Sequence, residues 1–250
     1  MDIIISLLTK ISSTSLIKFN FSFYENHYIP LSFIAKFTNL QETNLVFDYT
    51  ESLEDFKTLQ YVTFLQLQIL RISYSSPKFE LLTNFLEING KNLREFYLRQ
   101  VTIPPNLITK LCPNLRKFSI SFENNELETL KTVFNDCQYL ESLKIWYKSK
   151  IMNESKMLET VVKYTPKSFH ELGLYCFDGI KSVLLPKELE SIFLSWSNRI
   201  PLKPLSLIVD RNSYLNSLDT KENGKIIDKY IDLGIIKEFK ITFFSSEIFN

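Results

Sequence analysis

A short apolar pattern close to Leu-x-x-[Leu/Phe/Ile]-x-[Leu/Ile/Phe] returns ten times along this chain, beginning at Leu16, Leu40, Leu67, Leu93, Leu115, Leu140, Phe169, Leu189, Leu202 and Ile236. A repeated unit of this size cannot bury its own apolar face and has to stack on its neighbours, so the period restricts the fold more than any single motif does. The nine steps span 220 residues, a mean of about 24. A solenoid follows, and with it an extended binding surface.

Within a unit the residues alternate. In Leu115 to Ser121, Phe118 and Ile120 are apolar while Lys117, Ser119 and Ser121 are polar, the period of a half-buried strand, and the same alternation returns at Phe96 and Leu98 and at Leu143 and Ile145. Between the strands lie stretches of helical spacing. Asn125 with Glu128 predicts a capped helix burying Leu127, Leu130, Val133 and Phe134. Ser76 before Pro77 predicts another, carrying Leu81, Leu82, Phe85 and Leu86. Met157, Leu158, Val161 and Val162 mark a third, and Leu53, Phe56, Leu59 and Val62 a fourth. Strand, turn, helix and turn at this period place successive strands parallel and side by side. Ten strands at the usual spacing predict a concave strip roughly 43 Å wide.

Two places depart from the scheme. Only 13 residues separate Leu189 from Leu202, and Pro201 and Pro204 interrupt the link, so one copy there is truncated or spurious. The next step crosses the polar stretch from Asp210 to Gly224, after which Asp219 and Glu222 predict a capping box for a helix containing Ile226, Ile227, Tyr230 and Ile231. The expected organisation is an N-terminal capping helix at 1–15 and one repeat domain at 16–250. That domain is irregular near 189–222 and closed by a capping repeat at 223–250.

Composition removes several classes of function. With 29 basic and 28 acidic residues and a net charge of +1, no general attraction to nucleic acid or to an anionic membrane is expected. Five glycines leave little for a phosphate-cradling loop, and no apolar run approaches a membrane span. Asp2 before the run Ile3 to Leu8 is unlike a secretory leader. Cys112, Cys137 and Cys176 fit neither a disulfide framework nor a zinc site, so a reducing compartment, cytoplasmic or nuclear, is expected, and the sequons at Asn20 and Asn153 are then chance matches.

The residues ahead of two strands carry a resemblance. Lys110-Leu111-Cys112-Pro113-Asn114-Leu115-Arg116-Lys117-Phe118 and Asn135-Asp136-Cys137-Gln138-Tyr139-Leu140-Glu141-Ser142-Leu143 resemble the cysteine-containing leucine-rich repeat of ribonuclease-inhibitor-like domains, especially those carried by fungal F-box proteins. The resemblance spans roughly Leu16 to Ile241 and implies an α/β leucine-rich-repeat solenoid: a right-handed arc with the parallel sheet on the concave face and helices on the convex face. In that family the repeats recognise a substrate, and a separate F-box grips the Skp-type adaptor of a cullin ubiquitin ligase. Fifteen residues precede Leu16 and contain no Leu-Pro opening of an F-box, so a Skp-type adaptor is not expected to bind this chain alone. Cys112 and Cys137 are read as small buried side chains at the helix-to-strand turn.

No catalytic, cofactor-binding or metal-binding motif occurs. His27 lies in a polar stretch; His170, near Cys176 and Asp178, is read as an exposed repeat residue. Glu51, Glu54 and Asp55 are read as the polar start of a helix. What remains is the outward strand face. Arg71, Tyr97, Arg99, Lys144, Trp146, Tyr175 and Phe193 occupy its fifth and seventh columns, and these residue types dominate interface hot spots. The alternative is that Trp146, Tyr175 and Phe193 pack against neighbours on the strand surface. The expected function is non-enzymatic recognition of a protein partner on the concave face, as in the substrate-binding repeats of an F-box ubiquitin-ligase subunit. A stand-alone inhibitor or scaffold is the other binding reading, and an enzyme is disfavoured.

Overall fold

The computed structural model describes residues 10–23, 30–47, 55–98, 104–122, 127–147, 153–176, 184–210, 218 and 220–242. Its contacts divide the chain into two compact units, Met1–Ser119 and Ile120–Asn250.

In unit 1 the strands β1 (Lys18–Phe23), β2 (Glu42–Phe47), β3 (Ile69–Tyr74), β4 (Glu95–Leu98) and β5 (Lys117–Ser121, running past the unit's end) pair in parallel in sequence order. The pairing is in step: Lys18 stands beside Glu42, Asn44 beside Arg71, and Tyr97 beside Ser119. One carbonyl per unit sets this step by accepting two N–H groups of the next. Ile17 O takes Gln41 and Glu42, Gln41 O takes Gln68 and Ile69, Gln68 O takes Arg94 and Glu95, and Arg94 O takes Arg116 and Lys117. Parallel strands need crossovers, and here these contain the 3-10 turn Leu31–Lys36, a second such turn at 55–58, and the helices α1 (Phe79–Asn89) and α2 (Pro105–Leu111).

Alternation decides what is buried. Leu45, Leu70, Ile72, Phe96, Leu98 and Phe118 are at most 1% exposed, and Phe96 stacks on Phe118 at 6.2 Å between centroids. The second copy departs from the pattern by placing Thr43 in this apolar row. Its hydroxyl is buried without a hydrogen-bond partner and borders a small apolar void lined by Leu45, Phe56, Phe64, Leu70 and Phe85. Asparagines tie the repeats at their polar seam. Asn39 Nδ2 donates to Thr14 O at 3.0 Å, and Asn114 Nδ2 to Lys91 O at 2.9 Å. Asn89, 0% exposed, accepts from Phe64 N and donates to Val62 O and Phe85 O. A fully buried amide is tolerated here because all its strong bonds are made.

Unit 2 repeats the scheme with longer helices. The order is α3 (Leu127–Asp136), β6 (Ser142–Tyr147), α4 (Glu154–Tyr164), β7 (Glu171–Cys176), α5 (Pro186–Ser197), β8 (Leu205–Asp210), α6 (Lys221–Asp232) and β9 (Ile236–Thr242). Strands β6 to β9 pair in parallel in that order. An aromatic chain runs through the interior, Phe134 to Phe169 at 5.9 Å and Phe169 to Trp196 at 6.3 Å. Arg199 then closes the C-terminus of α4 from the next repeat. Its guanidinium lies over Trp196 at 4.2 Å and donates to Thr165 O and Pro166 O at 3.0 and 2.8 Å, meeting carbonyls that a helix end leaves open. Burial lowers its pKa.

Several expectations change. The copy at Leu189 is not a strand but lies inside α5, where Leu189, Ile192, Phe193 and Trp196 form the buried helical face and Leu194 is 56% exposed. Leu-x-x-Ile satisfies both periods, because i and i+3 also share a helix face. The copy at Leu202 is displaced by two residues: Ser206 stands beside Glu171 and Leu207 beside Leu172, so Leu207 and Val209 fill the buried rows. A slip of two preserves the face of every side chain. Nine strands are present among the described residues, against ten expected.

The fourth expected helix is a 3-10 turn that still buries Phe56 and Leu59; Leu53, Glu51 and Glu54 lie outside the described residues. Asp55 is not a solvated helix start. It is 8% exposed and its carboxylate accepts the Leu31 N–H at the opening of the preceding turn. Helix α1 begins two residues beyond Pro77, with Lys78 at the cap position. Asn153 caps α4 by accepting Lys156 N at 3.0 Å, and Thr220 rather than Asp219 caps α6. Asn125, Ile3 to Leu8, His27 and Asp178 lie outside the described residues. No described helix is long and apolar enough to cross a membrane.

Candidate interaction faces on the strands

The side of unit 1 opposite the buried rows carries a line of alternating charge. Lys18 Nζ meets Glu42 at 2.9 Å, Arg71 reaches Glu42 at 2.6 Å on one side and Glu95 at 3.2 Å on the other, and Lys117 meets Glu95 at 3.0 Å. The alternation would fail at β3, whose third column holds Ile69, had Arg71 not reached sideways from the fifth column to both glutamates. Arg71 also lies on the Tyr97 ring at 5.1 Å, and the Tyr97 hydroxyl donates to Glu95 at 3.4 Å. Both Glu42 and Glu95 have side chains 16% exposed; Lys18 at 69% and Lys117 at 45% are the solvated ends. The Lys18 hydrogen bond, helped by Arg71, outweighs burial and holds the Glu42 carboxyl below its ordinary range.

The corresponding face of unit 2 is built differently. Ser142 donates to Glu171 at 2.6 Å and Ser206 to Glu238 at 3.2 Å, so hydroxyls stand where unit 1 has cations. Two columns on, Trp146 and Tyr175 are register partners and stack at 4.3 Å with 23° between planes. Each is only 5% exposed. Gly173 makes room for this. A Cβ there would meet Tyr175 Cε2 at 2.9 Å and Lys144 Cγ at 3.2 Å, so the tyrosine ring and the lysine stem fill the place of its missing side chain.

Of the seven residues singled out from sequence, Arg71 and Tyr97 meet in unit 1, and Trp146 and Tyr175 meet in unit 2, where Lys144 and Tyr175 both flank Gly173. Phe193 belongs to neither face. It is a core residue of α5, 2% exposed, with its ring 5.2 Å from that of Tyr230. Arg99 lies outside the described residues. Lys18, Glu42, Glu95 and Lys117 were missed, although reading the third column from strand to strand displays the alternation of sign.

The two aligned cysteines sit at the turns their spacing predicts, both 0% exposed, and burial pushes the Cys137 thiol up to about 12. Such a thiol stays protonated and packs as a small apolar group. His170 is half-buried rather than exposed, with Nδ1 2.9 Å from Ser168 O. The void beside Thr43 has no titratable side chain in its lining.

No family model matches this chain, and no curated protein matches it in sequence. Among solved structures it is similar to the leucine-rich repeat-containing protein LegL7 from Legionella pneumophila, with 12% identity, a TM-score of 0.50, and coverage of 84% of this chain and 68% of that one. At that identity the likeness concerns the fold alone. Together with the parallel strands and intervening helices of each unit, it makes this an α/β leucine-rich-repeat fold.

Proposed function

We propose that the chain is a non-enzymatic module that recognises another protein through its strand faces. The observation that carries this reading is the line from Lys18 to Lys117 in unit 1. Five charged side chains from five strands are fixed by ion pairs and by Tyr97 before any partner arrives. Side chains ordered in advance lose little entropy on binding, which favours recognition of a surface. The finer reading, substrate recognition like that of the repeats of an F-box ubiquitin-ligase subunit, is supported by the buried pair of columnar cysteines, Cys112 and Cys137. The wide spacing of the three cysteines, unlike a disulfide framework, favours a reducing setting, cytoplasm or nucleus.

Photo-crosslinking tests the location. A benzophenone side chain placed at Tyr97 or Lys144 is expected to capture a recurring protein partner from cell extract, and the same probe at Lys131 on α3 is not. Adducts from Lys131 with none from the strand positions would sink the proposal.

A further inference from the structure

In unit 2 the buried rows come into the open at β9. Leu207 and Val209 on β8 are 1% and 2% exposed, whereas Ile241, the register partner of Val209, is 38% exposed and Phe239, the partner of Leu207, is half-buried. Among the described residues β9 pairs only with β8. Beside it, at the end of α6, Ile231 and Leu233 are 36% and 61% exposed. On the other face of the strand Glu238 and Lys240 form an ion pair at 2.9 Å, with side chains 33% and 54% exposed.

We propose that β9 is a self-pairing edge, joining two copies of this chain by antiparallel pairing about a two-fold axis through Phe239. Such an axis stands perpendicular to the sheet and keeps each residue on its own face, so the axis must pass through a residue rather than between two. After the irregularity between Leu205 and Ser206, the candidates along the charged run are Glu238, Phe239 and Lys240. An axis through Glu238 sets two carboxylates opposite each other, and one through Lys240 sets two ammonium groups opposite each other, which disfavours both. An axis through Phe239 instead sets Glu238 opposite Lys240 of the second copy, twice, and the two Phe239 rings against each other. The exposed Lys237 and Lys240 hinder indiscriminate pairing at an open edge, as edge lysines do, and leave this register preferred.

The test is sedimentation equilibrium of the full chain, at concentrations from about 1 to 200 μM, a range set by the modest worth of cross-strand pairs. A monomer–dimer equilibrium is expected. Glu238→Lys and Lys240→Glu should each weaken it by at least about tenfold, because either change makes two like-charge contacts. The double exchange should restore it. Monomer at every concentration, or a dimer indifferent to the single changes, overturns the proposal. As a check that does not depend on those variants folding, Phe239→Cys should form a disulfide-linked dimer under mild oxidation faster than Lys225→Cys on exposed α6. The reverse order overturns the register.

Discussion

On the strand face of unit 1 the third column runs Lys18, Glu42, Ile69, Glu95, Lys117, and Arg71 restores the missing positive charge from one column away. In unit 2 the same column runs Ser142, Glu171, Ser206, Glu238, and the cohesion has moved to a stacked Trp146 and Tyr175. The same backbone thus supports one surface held by Coulomb attraction and another held by packing. The first should respond to salt and pH, the second to volume.

Trp146→Ala should have the largest effect. Removing a side chain 5% exposed from its stack should cost about 3 kcal/mol, with little change at 0.5 M salt. Urea unfolding followed by the fluorescence of Trp196, the other tryptophan and also in unit 2, measures it. Gly173→Ala should follow at about 2 kcal/mol, because the new methyl meets the Tyr175 ring and the Lys144 stem. An unaltered midpoint would mean that the stack tolerates displacement.

Arg71→Ala tests the other face. It deprives Glu42 and Glu95 of their shared partner and should cost about 1.5 kcal/mol at low salt. Hydrogen exchange of the β2 and β3 amides reads this locally. The loss should shrink at 0.5 M salt, and a salt-independent loss would mean that Arg71 acts through its packing on Tyr97.

The smallest effect concerns acid. Because Glu42 titrates below its ordinary value of 4.5 when folded, its ion pairs contribute fully above that value. The contribution is lost as pH falls from about there through the folded pKa. Glu42→Gln should therefore flatten the acid limb of unit 1 stability, measured by exchange of the same amides between pH 6 and 3. Glu238→Gln should flatten unit 2 less, since Glu238, held low chiefly by its hydrogen bond to Lys240, is more exposed than Glu42.

Strand positions were legible wherever apolar residues alternate over a clear strand, as at Phe96 and Leu98 or Leu143 and Ile145. The reading failed where two periods overlap. Leu189 and Ile192 satisfy both a strand repeat and a helix face, and only Phe193 and Trp196, continuing at helical spacing, separate the two. At β8 the repeat starts two residues later than the Leu202 pattern predicts, a shift that alternation conceals because the faces stay the same. The cap expected at Asp219 is displaced because the adjacent Thr220 accepts the helix N–H instead. The one expected at Ser76 is displaced because the helix starts two residues past Pro77, behind Lys78, whose ammonium cannot accept an N–H. Where the chain enters the helix decides both.

By itself the sequence determined the stacking period, the parallel pairing of strands and the side on which each strand residue lies, since all three follow from apolar residues spaced along one chain. Only the tertiary structure decided what those outward residues do. Arg71 finds its two glutamates 29 residues before and 24 residues after it, and Trp146 finds Tyr175 29 residues on. Register brings each pair together, and register is a property of packed repeats. The same condition turned Phe193 inward and buried Asp55, because the choice between a helix face and a strand face, or between a solvated carboxylate and a capping one, depends on the neighbouring repeat.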